Sequence, residues 1–242
     1  MSCVVISGAS RGIGRATAIA AGERGWSVLV NYREARDAAE ETAALVCERG
    51  GRALPWRADT TCEAEIAAMF DAAAAAFGPV DAAVVNAGIV APASTLADME
   101  LDRLRRMFDV NVLGSYLCAR EAARRLPVSR GGKGGAIVIV SSMASRLGSP
   151  FEYVDYAGAK GALDTLTIGL AKELASDGVR VNAVRPGLID TEIHASGGRP
   201  DRAREMGARS PMGRAGRAAE VAEAILWLLS PAASYVTGTF VD

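Results

Sequence analysis

The sequence predicts an α/β fold in which about seven parallel strands form a doubly wound sheet with helices on both faces. Short apolar runs alternate with alanine-rich helical stretches along the chain, as in repeated strand–helix units. A glycine-rich turn joins the first strand to the first helix, and small or polar residues follow several later strands. Because parallel strands end at one edge of a sheet, a ligand is expected at that edge.

The predicted strands and helices alternate over a single domain, residues 1–242. The runs interpreted as strands are Cys3–Ile6, Val28–Asn31, Arg52–Trp56, Asp81–Val85, Ile137–Val140, Val179–Val184 and Tyr235–Val241. Helices are expected from the glycine turn to Arg24, over Glu34–Arg49, Glu63–Phe77 and about Asp98–Leu126, from Tyr156 to Gly178, and over Glu220–Leu229.

One long segment lacks a regular pattern. Residues 192–217 are rich in serine, glycine, proline and arginine, and a segment of that length inside a compact domain is typical of a functional lid or a mobile loop. We therefore expect a substrate lid around residues 188–217. Its arginines are interpreted as a solvated face, with contact to an anionic substrate as the alternative.

Composition excludes several classes of protein. Basic and acidic residues number 27 and 28, a net charge of −1, which gives no electrostatic reason to bind nucleic acid or an anionic membrane. No apolar run approaches the roughly 20 residues of a membrane span, and the chain begins directly with a core strand rather than a signal peptide. A cytoplasmic protein is expected. The four cysteines are scattered and there is one histidine, so neither a metal site nor a Ser-His-Asp mechanism is predicted.

Tyr156 and Lys160 are four residues apart and share one face of a predicted helix. An ammonium beside a phenol favours the ionised phenol, so Tyr156 could act as a general acid or base nearer neutral pH than its unperturbed pKa of about 10 allows. Ser142, at the end of the preceding strand, adds a hydroxyl. The three side chains predict a site that handles one oxygen atom.

The glycine turn reads Gly8-Ala9-Ser10-Arg11-Gly12-Ile13-Gly14 between a strand and a helix. Glycines let the backbone approach a phosphate, and free N–H groups at the start of the helix point towards it. Its spacing is G-x-x-x-G-x-G rather than G-x-G-x-x-G, and such a turn can also be only a tight connection. After the fourth strand, Asn86-Ala87-Gly88 offers small residues that let a cofactor ring approach.

The end of the second strand bears on the choice of cofactor. An acid at this position binds the ribose 2′-hydroxyl of NAD, whereas basic residues accommodate the 2′-phosphate of NADP. The sequence here is Asn31-Tyr32-Arg33, with Arg11 in the glycine turn, which favours NADP(H) over NAD(H). In the alternative interpretation Arg33 is a solvated loop residue and Glu34 supplies the acid.

Six motifs in one order resemble the single-domain short-chain dehydrogenases/reductases over essentially the whole chain. The resemblance implies a Rossmann-type fold and an NADP-dependent oxidoreductase that transfers hydride between nicotinamide and a carbonyl or secondary alcohol of a small molecule. It implies four catalytic roles: Tyr156 is the acid/base, Lys160 lowers its pKa and holds the nicotinamide ribose, Ser142 positions the carbonyl, and Asn111 anchors a relay water. The motifs are Ser7-Gly8-x3-Gly12-Ile13-Gly14, Asn86-Ala87-Gly88, Asn111, Ser142, Tyr156-x3-Lys160 and Pro186-Gly187.

The resemblance also implies a cofactor site. The glycine turn would hold the pyrophosphate, Asp59 the adenine, Asn86 the adenosine ribose side and Thr191 the carboxamide. The candidate cofactor-binding residues are Gly8, Ser10, Arg11, Gly12, Ile13, Gly14, Tyr32, Arg33, Asp59, Asn86, Ala87, Gly88, Tyr156, Lys160, Pro186, Gly187, Ile189 and Thr191.

Three questions stay open on the sequence alone. A non-catalytic dinucleotide-binding or sensing protein on the same fold is the alternative function, although it need not keep all four catalytic candidates. Among enzymes, a 3-oxoacyl thioester reductase and a sugar dehydrogenase both fit. A homo-oligomer is expected, most simply a tetramer, with a dimer as the alternative because the chain stops at Asp242, where relatives commonly continue into a tail between subunits.

Overall fold

A seven-stranded parallel sheet forms the centre of the computed structural model, which describes residues 2–242. Its strand order, β3-β2-β1-β4-β5-β6-β9, confirms the predicted doubly wound fold. The short strands β7 (Ile189–Asp190) and β8 (Gly216–Arg217) pair separately. The strands of the main sheet are β1 (Cys3–Ile6), β2 (Ser27–Tyr32), β3 (Arg52–Arg57), β4 (Ala82–Val85), β5 (Gly135–Val140), β6 (Val179–Val184) and β9 (Phe240–Val241).

Helices cover both faces of this sheet because successive strand residues point to opposite sides. One apolar cluster contains Ile137 and Ile139 with Phe70 of one helix layer, and the other contains Val138 with Ile225 of the opposite layer. The helices are α1 (Gly12–Glu23), α2 (Arg36–Glu48), α3 (Glu63–Phe77), α4 (Leu101–Phe108), α5 (Gly114–Arg125), α6 (Ala144–Leu147), α7 (Val154–Leu174), α8 (Ile193–Ser196), α9 (Arg202–Gly207) and α10 (Ala218–Leu229).

The helix predicted from Asp98 to Leu126 is helical from Leu101 to Arg125 but contains an inserted π-helical turn. A π-helical turn over Asp109–Leu113 separates α4 from α5, and a short 3₁₀ turn, Leu96–Asp98, precedes them. Asn111 lies in the π turn and is fully buried. Such turns occur mostly as single insertions in α-helices, frequently at functional sites, and this one directs the Asn111 amide towards the chain that follows β4.

The last predicted strand, Tyr235–Val241, is confined to Phe240 and Val241. The chain before it is held partly by a side chain: Asn182 Nδ2 donates to the Val236 carbonyl at 2.9 Å, and Asn182 Oδ1 accepts from Thr239 N at 3.1 Å. Gly238 between them has a φ of 73°, which interrupts an extended strand.

The segment predicted as an irregular lid has regular structure at several points. It contains α8, α9 and the β7–β8 pair. Helix α10 begins at Ala218, two residues before the predicted start, because Glu220 accepts from the Arg217 backbone N–H at 2.7 Å and closes its first turn. Within residues 2–242, no helix is both long and apolar enough to cross a lipid bilayer.

Candidate active site

A cleft of about 650 Å³ lies at the carboxyl edge of the sheet, where β1, β2, β4, β5 and β6 end. The segment 188–210 covers one side of it. Every sequence-predicted site residue lines this cleft except Gly14 and Asn111, which lie directly behind its wall. Among the residues that the structure describes, no group of histidine, cysteine and acidic side chains could hold a metal ion.

The glycine turn fits an anionic group. Gly8 and Gly12 have φ values of 63° and 56°, which favour glycine. At Gly14 a Cβ atom would lie 2.4 Å from the Gly8 carbonyl oxygen and 2.6 Å from Asn86 Nδ2, so only glycine fits. The first turn of α1 contains no acid and its N-cap, Arg11, makes no side-chain cap. The first N–H groups of that helix therefore remain available to a phosphate.

Three polar side chains fix the glycine turn from below. Ser7 Oγ accepts from the backbone N–H groups of Asn86 and Ala87 at 2.9 and 3.0 Å, and Asn86 Nδ2 donates to the carbonyls of Ser7 and Gly8, both at 2.9 Å. Asn31 Oδ1 accepts from Gly8 N at 3.0 Å. Ser7 and Asn31 are missing from the predicted site. The feature of the sequence that could have identified them is a polar residue at the end of an apolar run.

The end of the cleft beside β2 carries a basic and an acidic side chain, Arg33 and Asp59. Arg33 follows β2, binds the exposed carboxylate of Glu34, and has its NH1 atom 3.9 Å from Asp59 Oδ2. Partial burial acts to raise the pKa of Asp59, but hydrogen bonds from Thr61 and the charges of Arg33 and Arg57 together hold that pKa below its usual value. Asp59 is therefore ionised at neutral pH.

Helix α7 brings Tyr156 and Lys160 into the cleft beside Ser142, which follows β5. Lys160 Nζ donates to the Val140 carbonyl at 2.8 Å and lies 5.6 Å from the centre of the Tyr156 ring. Ser142 Oγ accepts from Ala144 N at 3.1 Å. The three side chains that the sequence groups together therefore meet at one end of the cleft.

Burial dominates the proton affinities of this cluster. It raises the pKa of Tyr156 to about 12, although a hydrogen bond with Ser142 acts to lower it. It lowers the pKa of Lys160 to about 8, although the charge of Asp164 acts to raise it. The expectation that Lys160 lowers the pKa of Tyr156 is not met, because removing the phenolate from water has the larger effect.

Asn111 supports the wall of the cleft from behind. Its Oδ1 accepts from Ile89 N at 3.0 Å, and its Nδ2 donates to the carbonyls of Ile89 at 3.0 Å and Met107 at 3.1 Å. A Cβ atom at Gly88 would lie 2.7 Å from Asn111 Oδ1 and 3.6 Å from Lys160 Nζ. Asn111, Gly88 and Lys160 thus converge at one point of the wall.

Two arginines of the segment 188–217 bind the opposite wall. Arg199 NH1 and Arg202 NH2 contact the two carboxylate oxygens of Glu152 at 3.0 and 2.6 Å, and the Arg202 guanidinium lies 5.3 Å from the centre of the Tyr153 ring. The prediction that the arginines of this segment form a solvated face is wrong for Arg199 and Arg202. Sequence reasoning missed Glu152, because an ion pair between residues about 50 positions apart leaves no local pattern.

The parallel sheet, the glycine turn at its carboxyl edge and the Ser142–Tyr156–Lys160 cluster define a class, the oxidoreductases built on a dinucleotide-binding fold. A family model described as enoyl-(acyl carrier protein) reductase matches residues 8–242. The chain is 51% identical to the uncharacterized oxidoreductase YgfF of Escherichia coli over 242 residues, which cover 100% of this chain and 98% of the relative. The chain belongs to the short-chain dehydrogenase/reductase family.

Solved structures agree with this assignment. A 3-ketoacyl-(acyl-carrier-protein) reductase from Brucella melitensis, complexed with NADH, has a TM-score of 0.91 and 31% identity, with 100% of this chain and 96% of that one covered. A short-chain dehydrogenase from Burkholderia cenocepacia in complex with NADP has a TM-score of 0.90 and 30% identity, with 99% and 95% covered. The two neighbours hold different dinucleotides.

Proposed function

We propose that this protein is an NADP(H)-dependent oxidoreductase that interconverts a carbonyl and a secondary alcohol on a small molecule, with Tyr156 as the acid/base. The observation that carries the proposal is the meeting of Ser142, Tyr156 and Lys160 at one end of a cleft whose other part is a glycine turn at a helix N-terminus. NADP(H), when bound, supplies or accepts the hydride.

The side chains have separate tasks in this proposal. A phenol with a pKa of about 12 keeps its proton at neutral pH, so Tyr156 can donate it to a carbonyl oxygen that the Ser142 hydroxyl holds in place. The Lys160 ammonium holds the nicotinamide ribose from the floor of the cleft. Asn111 keeps Ile89 and Gly88 in position and anchors a relay water there. The backbone of the glycine turn binds the pyrophosphate.

The remaining cofactor contacts are those that the family resemblance implies, and the residues concerned line the cleft. Asp59 is assigned to the adenine, Asn86 and Ala87 to the adenosine ribose side, and Thr191 to the carboxamide. The Thr191 side chain lies beside the glycine turn, with its Cβ 3.6 Å from where a Cβ of Gly12 would stand. The other assigned contacts are Ser10, Pro186, Gly187 and Ile189, all of which line the cleft.

The preference for NADP(H) rests on the charges around the end of β2. Arg11 and Arg33 both line the cleft there, Tyr32 occupies the last position of the strand, and Glu34 lies beyond it with its carboxylate bound to Arg33. A 2′-phosphate would find two guanidinium groups, and the last position of the strand is a tyrosine rather than an acid.

Tyr32→Asp is expected to shift preference from NADP(H) towards NAD(H), because the new carboxylate repels a 2′-phosphate. Steady-state kcat/KM with both dinucleotides measures the shift, and Glu34→Gln serves as the matched variant. Under our proposal Glu34→Gln leaves NADP(H) use intact. If instead wild-type enzyme used NAD(H) equally well and Glu34→Gln abolished that use, Glu34 would be the ribose-binding acid.

The substrate is a small carbonyl or alcohol enclosed by residues 188–217, which we propose act as a lid on a single domain. Val90, Leu147 and Met206 give the cleft apolar walls, while Arg202 and Arg209 line it near the lid. A 3-oxoacyl thioester and a sugar stay as alternative substrates. Oxidation of NADPH with a panel of aldehydes, ketones, 3-oxoacyl thioesters and sugars tests the proposal. Cofactor binding without turnover on any member would favour the non-catalytic alternative.

We also propose a homo-oligomer, a tetramer with a dimer as the alternative, formed through α4, α5 and α7. Leu101 and Phe108 of α4, Leu113 of the π turn before α5 and Ile168 of α7 have exposed fractions of 58%, 45%, 49% and 42%. Large exposed apolar side chains of this kind support an association site. Positions 158, 161 and 169 on α7 are glycines with open space beside them, which permits close helix approach.

Light scattering at micromolar concentration is expected to give a mass of two or four chains, and Leu113→Arg is expected to reduce it by placing a charge in the apolar contact. Tyr235→Arg, which adds the same charge at an exposed position outside these helices, is the comparison variant. A monomeric mass for the wild-type protein would contradict the proposed assembly.

A further inference from the structure

A chain of polar side chains leads away from Lys160 through Ser141, Asp164 and Arg185 to Asp242, and these four have no task in the function proposed above. Ser141 Oγ donates to Asp164 Oδ1 at 2.6 Å and lies 3.2 Å from the Lys160 carbonyl oxygen. Asp164 Oδ2 is 3.3 Å from Arg185 Nε, and Arg185 NH1 is 3.5 Å from Asp242 Oδ1. Ordering this many polar groups in the interior needs a compensating role.

Lys160 is a buried ammonium whose immediate surroundings do little to stabilise its charge. Its residue is 3% exposed, and its ammonium has one protein acceptor, the Val140 carbonyl at 2.8 Å. The other groups that face it are the neutral phenol of Tyr156 on the same helix and, behind the wall, Gly88 and the Asn111 amide. None of these is an anion. A buried ammonium without a nearby negative charge tends to lose its proton.

Asp164 supplies the missing charge from one turn further along α7. Residues four apart lie on the same helix face, and the carboxylate of Asp164 acts to raise the pKa of Lys160. Arg185, the residue after β6, forms an ion pair with this carboxylate, and its guanidinium lies 3.7 Å from the Phe240 ring centre. Asp242, which also binds Arg146, shares the charge of Arg185 and leaves more of the Asp164 charge for Lys160.

We propose that Asp164 is a positioning residue for Lys160: its carboxylate, hydrogen-bonded by Ser141 and paired with Arg185, provides the negative charge that the buried ammonium requires. The inference rests on the proposed function only in giving Lys160 a task in the reaction. Asp164 itself touches neither cofactor nor substrate, since it does not line the cleft.

The composition of the chain permits a direct test. There are three lysines, Lys133, Lys160 and Lys172, and the other two are exposed. Protein labelled with ¹³C at the lysine ε-carbon therefore gives three resonances, and those of the two exposed lysines serve as internal references. Lys160→Arg assigns the third. The titration needs no cofactor and no turnover.

Asp164→Asn is expected to lower the titration midpoint of Lys160 by on the order of one pH unit, because an opposite charge is lost. Arg185→Gln is expected to move the midpoint the other way, because it removes a cation and frees the Asp164 charge. Opposite shifts from two variants of one ion pair separate an electrostatic role from simple loosening of the structure, and thermal melting checks that each variant folds. If Asp164→Asn fails to fold, Arg185→Gln tests the proposal alone: a raised Lys160 midpoint supports it, and an unchanged or lowered midpoint overturns it. An unchanged midpoint in the folded Asp164→Asn variant, or shifts of the same sign in both, would overturn the proposal.

A second reading separates this inference from the proposed function. The kcat/KM for NADPH reports groups that titrate in the free enzyme, so its alkaline limb should move with the midpoint of Lys160. Suppose that the Lys160 midpoint shifts in Asp164→Asn but the alkaline limb of kcat/KM does not move. Then the proposed role of the Lys160 charge in the reaction is wrong, while the effect of Asp164 on Lys160 stands.

Discussion

Tyr156→Phe is expected to lower kcat by about 10²–10⁴-fold, the contribution of a general acid, with little change in NADPH affinity. The substitution removes one hydroxyl and keeps the ring that packs beside Lys160. Single-turnover oxidation of NADPH with a confirmed substrate measures the chemical step, and fluorescence titration measures affinity.

Tyr235→Phe is the matched control, because it removes the same hydroxyl from a side chain that is fully exposed. It should leave the rate unchanged. A Tyr156→Phe variant that kept roughly a third or more of the wild-type rate, far above the range for a lost general acid, would rule out Tyr156 as the proton donor.

Lys160→Ala is expected to damage both binding and turnover. Hydrogen bonds to charged groups contribute about 1.5–3 kcal/mol, so NADPH affinity should fall roughly tenfold to a hundredfold, and kcat should fall as well. The change also leaves the buried Val140 carbonyl without its donor.

Lys172→Ala, at an exposed position on the same helix, controls for the loss of a lysine from α7.

The wild-type pH profile adds a second check. The pKa of Lys160 is lowered to about 8, so its ammonium is present below that pH and is lost as the pH rises through it. NADPH affinity should therefore weaken on the alkaline side, and this limb should be absent in Lys160→Ala. A Lys160→Ala variant with wild-type affinity would contradict the assigned contact.

Features carried by local spacing could be predicted from the sequence. The glycine turn and the Tyr156–Lys160 pair are such features, because each depends on residues a few positions apart in one element. Strand ends could be predicted as well, since parallel strands place them at a common edge. That is why Asp59, Asn86 and Ser142, which are far apart in the chain, were assigned to one cleft.

Features made by tertiary contact could not be predicted. The π turn at Asn111 depends on hydrogen bonds to Ile89, and the shortened last strand depends on the Asn182 amide. The sequence predicts a lowered pKa for Tyr156, whereas burial raises it to about 12, and the reason is related. Spacing reveals the neighbouring ammonium, but the loss of solvent around the phenol is a property of the folded cleft.

The interlocked side chains beneath the glycine turn have a consequence for ligand affinity. Ser7, Asn31 and Asn86 join the ends of β1, β2 and β4 and use the backbone groups that would otherwise let the turn relax. The conformational entropy of the turn is thus given up when the chain folds and not when a ligand arrives. Binding at this end loses little free energy to ordering, so a few backbone contacts to a phosphate translate into affinity almost in full.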